Sequence, residues 1–153
     1  MSENDVLGPI DYLAVEFPTG RMTGSGFRLL RDVVDRGLVL VMDLEFVRKG
    51  IDGTVTRVPL EAVPQENPAE VSDWAGSYSG LLDEDDLKEV SAAIAPGSLA
   101  GVLVYENLWA ATVLQQISDS GAVLLATGRI DAGDVMAALE LNAAGKLQPR
   151  VAD

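Results

Sequence analysis

The chain has 153 residues, is 48% hydrophobic and carries 24 acidic against 11 basic residues, which gives a net charge of −13. This size and apolar content suit one buried core, whereas the acidic surface disfavours nucleic acid and anionic membranes, whose binding requires clustered Lys and Arg. The sequence contains no Cys and no His, which excludes disulfides, thiolate ligands and Ser–His or Cys–His catalysis within this chain.

The first half of the chain predicts a strand, a helix and a hairpin. A polar lead at residues 1–9 precedes a strand over 10–17, and a Gly-rich loop then leads to a helix over 27–36, whose apolar residues recur at helical spacing. Branched residues predict a second strand over 38–47, and alternation of apolar and polar residues predicts a third over 54–60.

The second half predicts a loop followed by alternating helices and strands. Residues 61–80 contain several Pro and Gly, so we expect a loop with one helical turn around 71–75. The acidic residues after Asp83 suit the positive end of a helix, which ends at Gly97. The later elements are a strand over 99–105, a helix over 108–118, a strand over 122–130, a helix to about residue 143 and a loose tail over 144–153.

Two parts of the chain repeat one strand–helix–strand pattern. The first strand of each unit finishes close to a glutamate, Glu16 or Glu106, and leads through a helix to another apolar run. With a hairpin strand and a helix between them, the two units predict an α/β (α+β) fold, a ferredoxin-like split β-α-β sandwich with a further C-terminal helix. Right-handed crossovers would place the helices on one side of the sheet. We expect a single domain over residues 10–143.

The composition and the N-terminus also predict a location. Residues 1–5 are acidic where a secretory signal would be basic, and no apolar run approaches the roughly 18 residues of a membrane-spanning helix. We therefore expect a cytoplasmic protein that contacts neither membranes nor nucleic acid.

Carboxylates on or near predicted strand ends are the first candidate ligand-binding residues. Converging carboxylates can hold a hard cation such as Mg²⁺ or Ca²⁺, or share a proton so that one becomes a general acid. The alternative is that they are solvated, or are paired across a subunit contact with Arg48 or Arg57, and no spacing matches a specific metal motif. The four residues are Glu16, Asp43, Glu45 and Glu106.

Arg21 and Trp109 complete the candidate set. Arg21 is the only charged residue of the loop over 20–26, whose backbone N–H groups lie before a helix and could bind an anion; the alternative is a mobile connection. Trp109 follows Glu106 closely and could line a pocket or anchor a partner, as could Trp74, although a Trp on a helix is more often part of the core.

Several short motifs, taken in order, resemble a known family. The chain from about residue 8 to 141 is similar to short acidic actinobacterial proteins known only as a domain of unknown function. The resemblance implies an actinobacterial source, a compact ferredoxin-like domain and a cytoplasmic location, and it supplies no activity, cofactor or catalytic residue. Members often carry a histidine where this chain has Asn107. The motifs are GPIDYL (8–13), EFP (16–18), DLEFV (43–47), DGTV (52–55), GLL (80–82) and ENLWA (106–110).

These observations favour a non-enzymatic, homo-oligomeric binding or regulatory module, because no complete catalytic constellation is present. Two subunits could also cover an open sheet face for each other. One alternative is a carboxylate-dependent metal-binding protein or enzyme. Another is a structural or assembly protein in which Trp109 or Trp74 packs against a protein partner. We assign no cofactor, catalytic residue or metal ligand from the sequence.

Overall fold

The computed structural model describes residues 7–23, 26–126, 128, 130 and 132–143. The chain divides into two compact units, Met1–Ala122 and Val123–Asp153. The first unit contains the sheet and four helices, and the second contains one helix. The single domain expected over 10–143 stays a prediction.

One four-stranded sheet forms the centre of the first unit. Its strands are β1 (Ile10–Phe17), β2 (Val39–Lys49), β3 (Val55–Val58) and β4 (Leu99–Asn107), and their order across the sheet is β1-β4-β2-β3. Each neighbouring pair is antiparallel. The helices are α1 (Gly26–Asp35), α2 (Pro68–Val71), α3 (Glu84–Ala93), α4 (Leu108–Asp119) and, in the second unit, α5 (Ala132–Ala143).

The first predicted strand–helix–strand unit is present in a split form. Strands β1 and β2 are both antiparallel to β4, so they run parallel to each other with β4 between them. With α1 between β1 and β2 and α3 between β3 and β4, the elements up to β4 follow a β-α-β-β-α-β order when the short helical turns are left aside. The fold is therefore a mixed α/β fold on an antiparallel sheet.

The second predicted unit is wrong in its last strand. The described residues between 122 and 130 form no strand, and Val123, Leu124 and Leu125 are exposed. An apolar branched run becomes a strand only where another backbone can pair with it. Periodicity alone does not report whether such a neighbour exists.

The helices do not all lie on one side of the sheet, contrary to the prediction. Residues of α1, including Phe27 and Leu30, pack against Leu44 and Phe46 on one face of β2. The Lys49 ammonium, which points to the other face, donates to the carbonyls at the end of α3, 2.9 Å from Ser91 O. The connection before α3 explains this arrangement, because it covers the first face and then passes the edge of β2 before α3 begins.

The core beside α1 draws on the predicted loop over 61–80. Val63 and Trp74 from this segment are buried against Leu44, Phe46 and Leu99. The helical turn expected around 71–75 is present as a 3-10 turn over Ser72–Trp74, and α2 precedes it as a further helical turn that was not predicted. Burial of these apolar side chains holds an otherwise irregular segment in place.

A capping box confirms the predicted start of α3, and β2 contains an irregularity that was not predicted. The Asp83 side chain accepts from the Asp86 N–H at 2.8 Å, and the Asp86 carboxylate accepts from the Asp83 N–H at 2.9 Å, so a capping box begins α3. Strand β2 contains a register shift between Val41 and Asp43. This bulge places Val41 on the same face as Leu44.

Candidate functional site

The four carboxylates predicted as a site all lie on the face of the sheet that carries α3. In antiparallel register, Glu16 is opposite Ala100, Glu45 is opposite Val102 and Asp43 is opposite Val104. Because residues opposite each other share a face and alternate along a strand, Glu106 lies on this face too. The described residues nevertheless contain no group of three or more acids that could hold a metal ion.

Asp43 and Glu45 form a buried pair. They are only 1% and 3% exposed, and their carboxyl groups hydrogen-bond to each other. Asp43 accepts the backbone N–H groups of Ser79 at 2.6 Å and Leu81 at 3.2 Å, and Glu45 accepts that of Leu82 at 3.0 Å. The pair therefore fastens the segment 77–82 to β2.

Arg57 completes this cluster from β3. Its guanidinium lies 3.0 Å from Glu45 Oε1 and 2.8 Å from the Tyr78 hydroxyl, and it also donates to the Leu82 carbonyl. Arg57 thus forms an ion pair with Glu45 of the same chain. The alternative stated from the sequence named the correct arginine, but it placed the ion pair at a contact between subunits. Each oxygen of Asp43 and Glu45 accepts at least one hydrogen bond.

Burial controls the proton affinity of Glu45. Removal of the carboxyl group from water and the adjacent Asp43 raise the pKa of Glu45 to about 7, although Arg57 and the Leu82 N–H oppose the change. Glu45 therefore exchanges a proton near neutral pH. Both carboxyl groups bind backbone N–H groups of segment 77–82 in the same chain. A change in the protonation of Glu45 therefore first affects the attachment of this segment to β2.

A cavity of about 390 Å³ lies beside the cluster and is lined by Glu45, Arg57, Tyr78 and Trp74, among others. Trp74 is 5% exposed, and its indole Nε1 has no hydrogen-bond partner among the described residues. The other candidate acids do not line this cavity. Of the predicted site residues, the structure thus joins Asp43 and Glu45 and places only Glu45 at a cavity wall.

The sequence profile of a family of unknown function, DUF6325, matches residues 6–146. The chain belongs to the DUF6325 family. This confirms the resemblance to a family of unknown function. No curated protein and no solved structure shows significant similarity to the chain.

Glu16 and Glu106 have separate roles in the DUF6325 fold. Glu16 Oε2 accepts the Ala95 N–H at 2.9 Å and the Ser98 hydroxyl at 2.8 Å, and these bonds lower the pKa of Glu16. Glu106 is buried and accepts the Gly8 N–H at 2.8 Å. The first carboxylate ties β1 to the end of α3, and the second ties the N-terminal lead to β4.

Arg21 and Trp109 lie outside the acid cluster. Arg21 is exposed in the loop after β1, and its carbonyl accepts from the Thr19 hydroxyl. Trp109 is 55% exposed near the start of α4, so the core interpretation is wrong for Trp109 and correct for Trp74. Neither Arg21 nor Trp109 lines the cavity beside Glu45.

Sequence analysis missed the partners that hold the acid pair in this DUF6325 chain. Ser79, Leu81 and Leu82 contribute backbone groups, which any residue type could supply. The available signal was a pair of glycines, Gly76 and Gly80, whose φ angles of 88° and 69° mark backbone turns around this segment.

Proposed function

We propose that this protein is a non-enzymatic binding module that self-associates through the outer edge of β1. Strand β1 is the outer strand of the sheet and is eight residues long. Its side chains are exposed on both faces, including Tyr12 at 64%, Leu13 and Val15. This exposure of a long apolar edge strand is the observation that carries the proposal.

An outer strand presents a row of backbone N–H and C=O groups that a second strand can pair with. Proteins commonly prevent such pairing with Lys, Pro or a bulge on the edge. Strand β1 contains no Lys or Pro, and its register against β4 is continuous. The strand therefore lacks these three forms of protection, which supports pairing with another chain.

A second copy of the same strand is a suitable partner. Two β1 strands related by a two-fold axis would pair antiparallel and extend the sheet across both subunits. Residues directly opposite each other in such a pair share a face, whereas Asp11 and Glu16 lie on opposite faces. The two acids therefore do not meet directly across the interface, and the apolar side chains supply the cross-strand contacts.

The test is native mass spectrometry of the purified chain with lysines added to β1. The wild type should be a dimer or a higher oligomer, and Tyr12→Lys with Ala14→Lys should be monomeric. The matched control, Leu29→Lys with Ile51→Lys, adds the same charge at exposed apolar sites away from β1 and should keep the wild-type mass. A monomeric wild type at tens of micromolar, or a β1 variant that stays oligomeric, contradicts the proposal.

A structural or assembly role is a second candidate, supported by an exposed apolar stripe on α4. Trp109, Val113 and Ile117 are four residues apart, so they lie along one side of the helix, and all three are exposed. In a pull-down from the source organism, Trp109→Ala should lose a partner that Leu29→Ala retains. Equal recovery by both variants removes this candidate.

The carboxylate-dependent alternative has less support, because the oxygens of Asp43 and Glu45 are engaged within the chain. None of the helices in the described ranges is long and apolar enough to cross a bilayer. We infer a cytoplasmic location from the composition, and a ferredoxin-like relationship from the order of elements up to β4. The actinobacterial source rests on the resemblance.

A further inference from the structure

A second cavity, distinct from the one beside Glu45, lies between α1 and the sheet. It has a volume of about 330 Å³, and its walls are mainly apolar. The sheet contributes Leu44, Phe46 and Leu103, and α1 contributes Phe27 and Leu30. We call it the α1 cavity.

The packing of α1 is unusual for so amphipathic a helix. Phe27, Leu30, Val33 and Val34 fall on one side of it, yet no residue of the helix is fully buried. Protein interiors are close-packed and rarely contain voids much larger than a water molecule. The apolar space beside the core therefore leaves Phe27 and Leu30 only partly buried, although both pack against the core.

The size and the lining match those of small-molecule sites. Such pockets have volumes of about 300–1,000 Å³ and are mostly apolar with a few polar groups that orient the ligand. Apolar cavities are poorly hydrated and accept apolar molecules. The α1 cavity falls at the lower end of this range, which limits its ligand to a compact molecule of about one bicyclic ring.

One wall residue supplies a candidate orienting group. Gln65 lines the cavity, and its Oε1 is buried with no hydrogen-bond partner among the described residues. A buried acceptor without a donor carries a desolvation cost, which a ligand N–H or O–H group would remove. Glu66 and Glu70 also line the cavity, and their negative charges disfavour an anionic ligand.

We infer that the α1 cavity is a binding site for a compact, mainly apolar small molecule that has no negative charge and donates one hydrogen bond to Gln65. The inference goes beyond self-association through β1. Leu13 and Val15 of β1 line the cavity, whereas Leu30 and Gln65 belong to other elements. Substitutions at Leu30 and Gln65 therefore test the cavity without changing the edge strand.

Titration of the full chain with indole and indene, followed by amide chemical shifts, tests this site. The two probes have nearly the same shape, but only indole has an N–H donor. Both should shift the amides of Gly101 and Leu103, and indole should bind about 2- to 10-fold more tightly, the range expected for one hydrogen bond. Gln65→Leu should remove this preference.

Filling the cavity provides the matched comparison. Leu30→Trp should weaken both probes more than tenfold, whereas Leu29→Trp, at a neighbouring exposed position, should bind as the wild type does. If the amide spectrum of Leu30→Trp loses its chemical-shift dispersion, the variant does not fold, and the smaller substitution Leu30→Phe is used in its place. Indole-3-acetate, an anion, should bind more weakly than indole.

Three outcomes overturn the inference. The first is no binding of either probe at millimolar concentration. The second is binding that Leu30→Trp and Leu29→Trp affect equally. The third is binding only to the monomer that Tyr12→Lys with Ala14→Lys produces. The last outcome would mean that a second copy fills the cavity. Mass spectrometry of the same samples reports self-association separately, so the two proposals can fail independently.

Discussion

Asp43 and Glu45 lie two positions apart on β2, and their carboxyl groups hydrogen-bond to each other while holding segment 77–82 through its backbone. The two residues are among the most buried polar groups of the described chain. A buried pair of acids is stable only when partners compensate the loss of water, so the pair and the segment it holds depend on each other.

The raised pKa of Glu45 predicts that stability falls as the pH rises from about 4.5 to about 7. In this range the folded chain keeps a proton on Glu45 that the unfolded chain has released, so unfolding becomes easier as the pH increases. Urea unfolding of the wild type at pH 5, 6, 7 and 8 should show this decline, with little further change from Glu45 above pH 8.

Glu45→Gln mimics the protonated side chain and should flatten the decline between pH 5 and 7. Glu89→Gln, at an exposed position of α3, is the control and should keep the wild-type slope. Glu16 acts in the opposite direction, because its lowered pKa gives stability above its ordinary value of 4.5 that is lost as the pH falls. A slope in Glu45→Gln equal to that of the wild type would show that Glu45 is not the titrating group.

Asp43→Ala should release segment 77–82. The substitution removes the acceptor for two backbone N–H groups, and hydrogen bonds to a charged group contribute about 1.5–3 kcal/mol each. We expect a loss of about 2–4 kcal/mol in the free energy of unfolding, less than the sum of the two bonds because the substitution also relieves the repulsion between Asp43 and Glu45, with faster hydrogen exchange at Ser79 and Leu81. Asp73→Ala, which removes an exposed carboxylate, should change neither exchange rate. Unchanged protection at Ser79 in Asp43→Ala would contradict this role.

Lys49→Met should weaken the end of α3. The ammonium group donates to the carbonyls of Ser91 at 2.9 Å and Ile94 at 3.2 Å, which lie where the helix leaves its acceptors unpaired. We expect a loss of about 1–2 kcal/mol, measured by urea unfolding. Lys88→Met removes the same charge from an exposed site on α3 and should cost less than about 0.5 kcal/mol. Equal losses would assign the effect to net charge.

Gly8→Ala should destabilise the N-terminal lead through a steric clash. A Cβ at this position would overlap the carbonyl of Asn107 and lie 3.2 Å from Ala111 Cβ, while the Gly8 N–H must stay on Glu106. The expected loss is about 1–3 kcal/mol in thermal or urea unfolding. At Gly26 no atom lies within 4 Å of such a Cβ, so Gly26→Ala should be neutral or stabilising. A neutral Gly8→Ala would mean that the lead relaxes away from β4.

Local signals in the sequence predicted most of the secondary structure. The acidic turn after Asp83 predicted the start of α3, and the branched residues over 38–47 predicted β2. These features depend only on residues that are close together in the sequence. The family match over residues 6–146 agrees with the predicted extent of the resemblance.

The pairing of strands and the role of the acids could not be predicted in the same way. The insertion of β4 between β1 and β2 depends on contacts between distant residues, and periodicity carries no information on them. Segment 77–82 is attached to β2 through its backbone N–H groups, and any residue type could supply these donors. The apolar α1 cavity also went unpredicted, because an unfilled space results from packing and not from any one side chain.

The bulge at Met42 has a consequence for how β2 tolerates insertions and deletions. The bulge divides β2 into two segments whose alternation between the faces of the sheet differs by one residue. Val41 in the first segment and Leu44 in the second therefore both face the core beside α1. Deletion of Met42 would leave a regular strand in which Val41, Asp43 and Leu44 keep their present faces, whereas regular pairing of Met42 would turn either Val41 out of that core or both carboxylates into it. The bulge therefore accommodates one supernumerary residue and keeps an apolar core and a buried acid pair compatible within one strand.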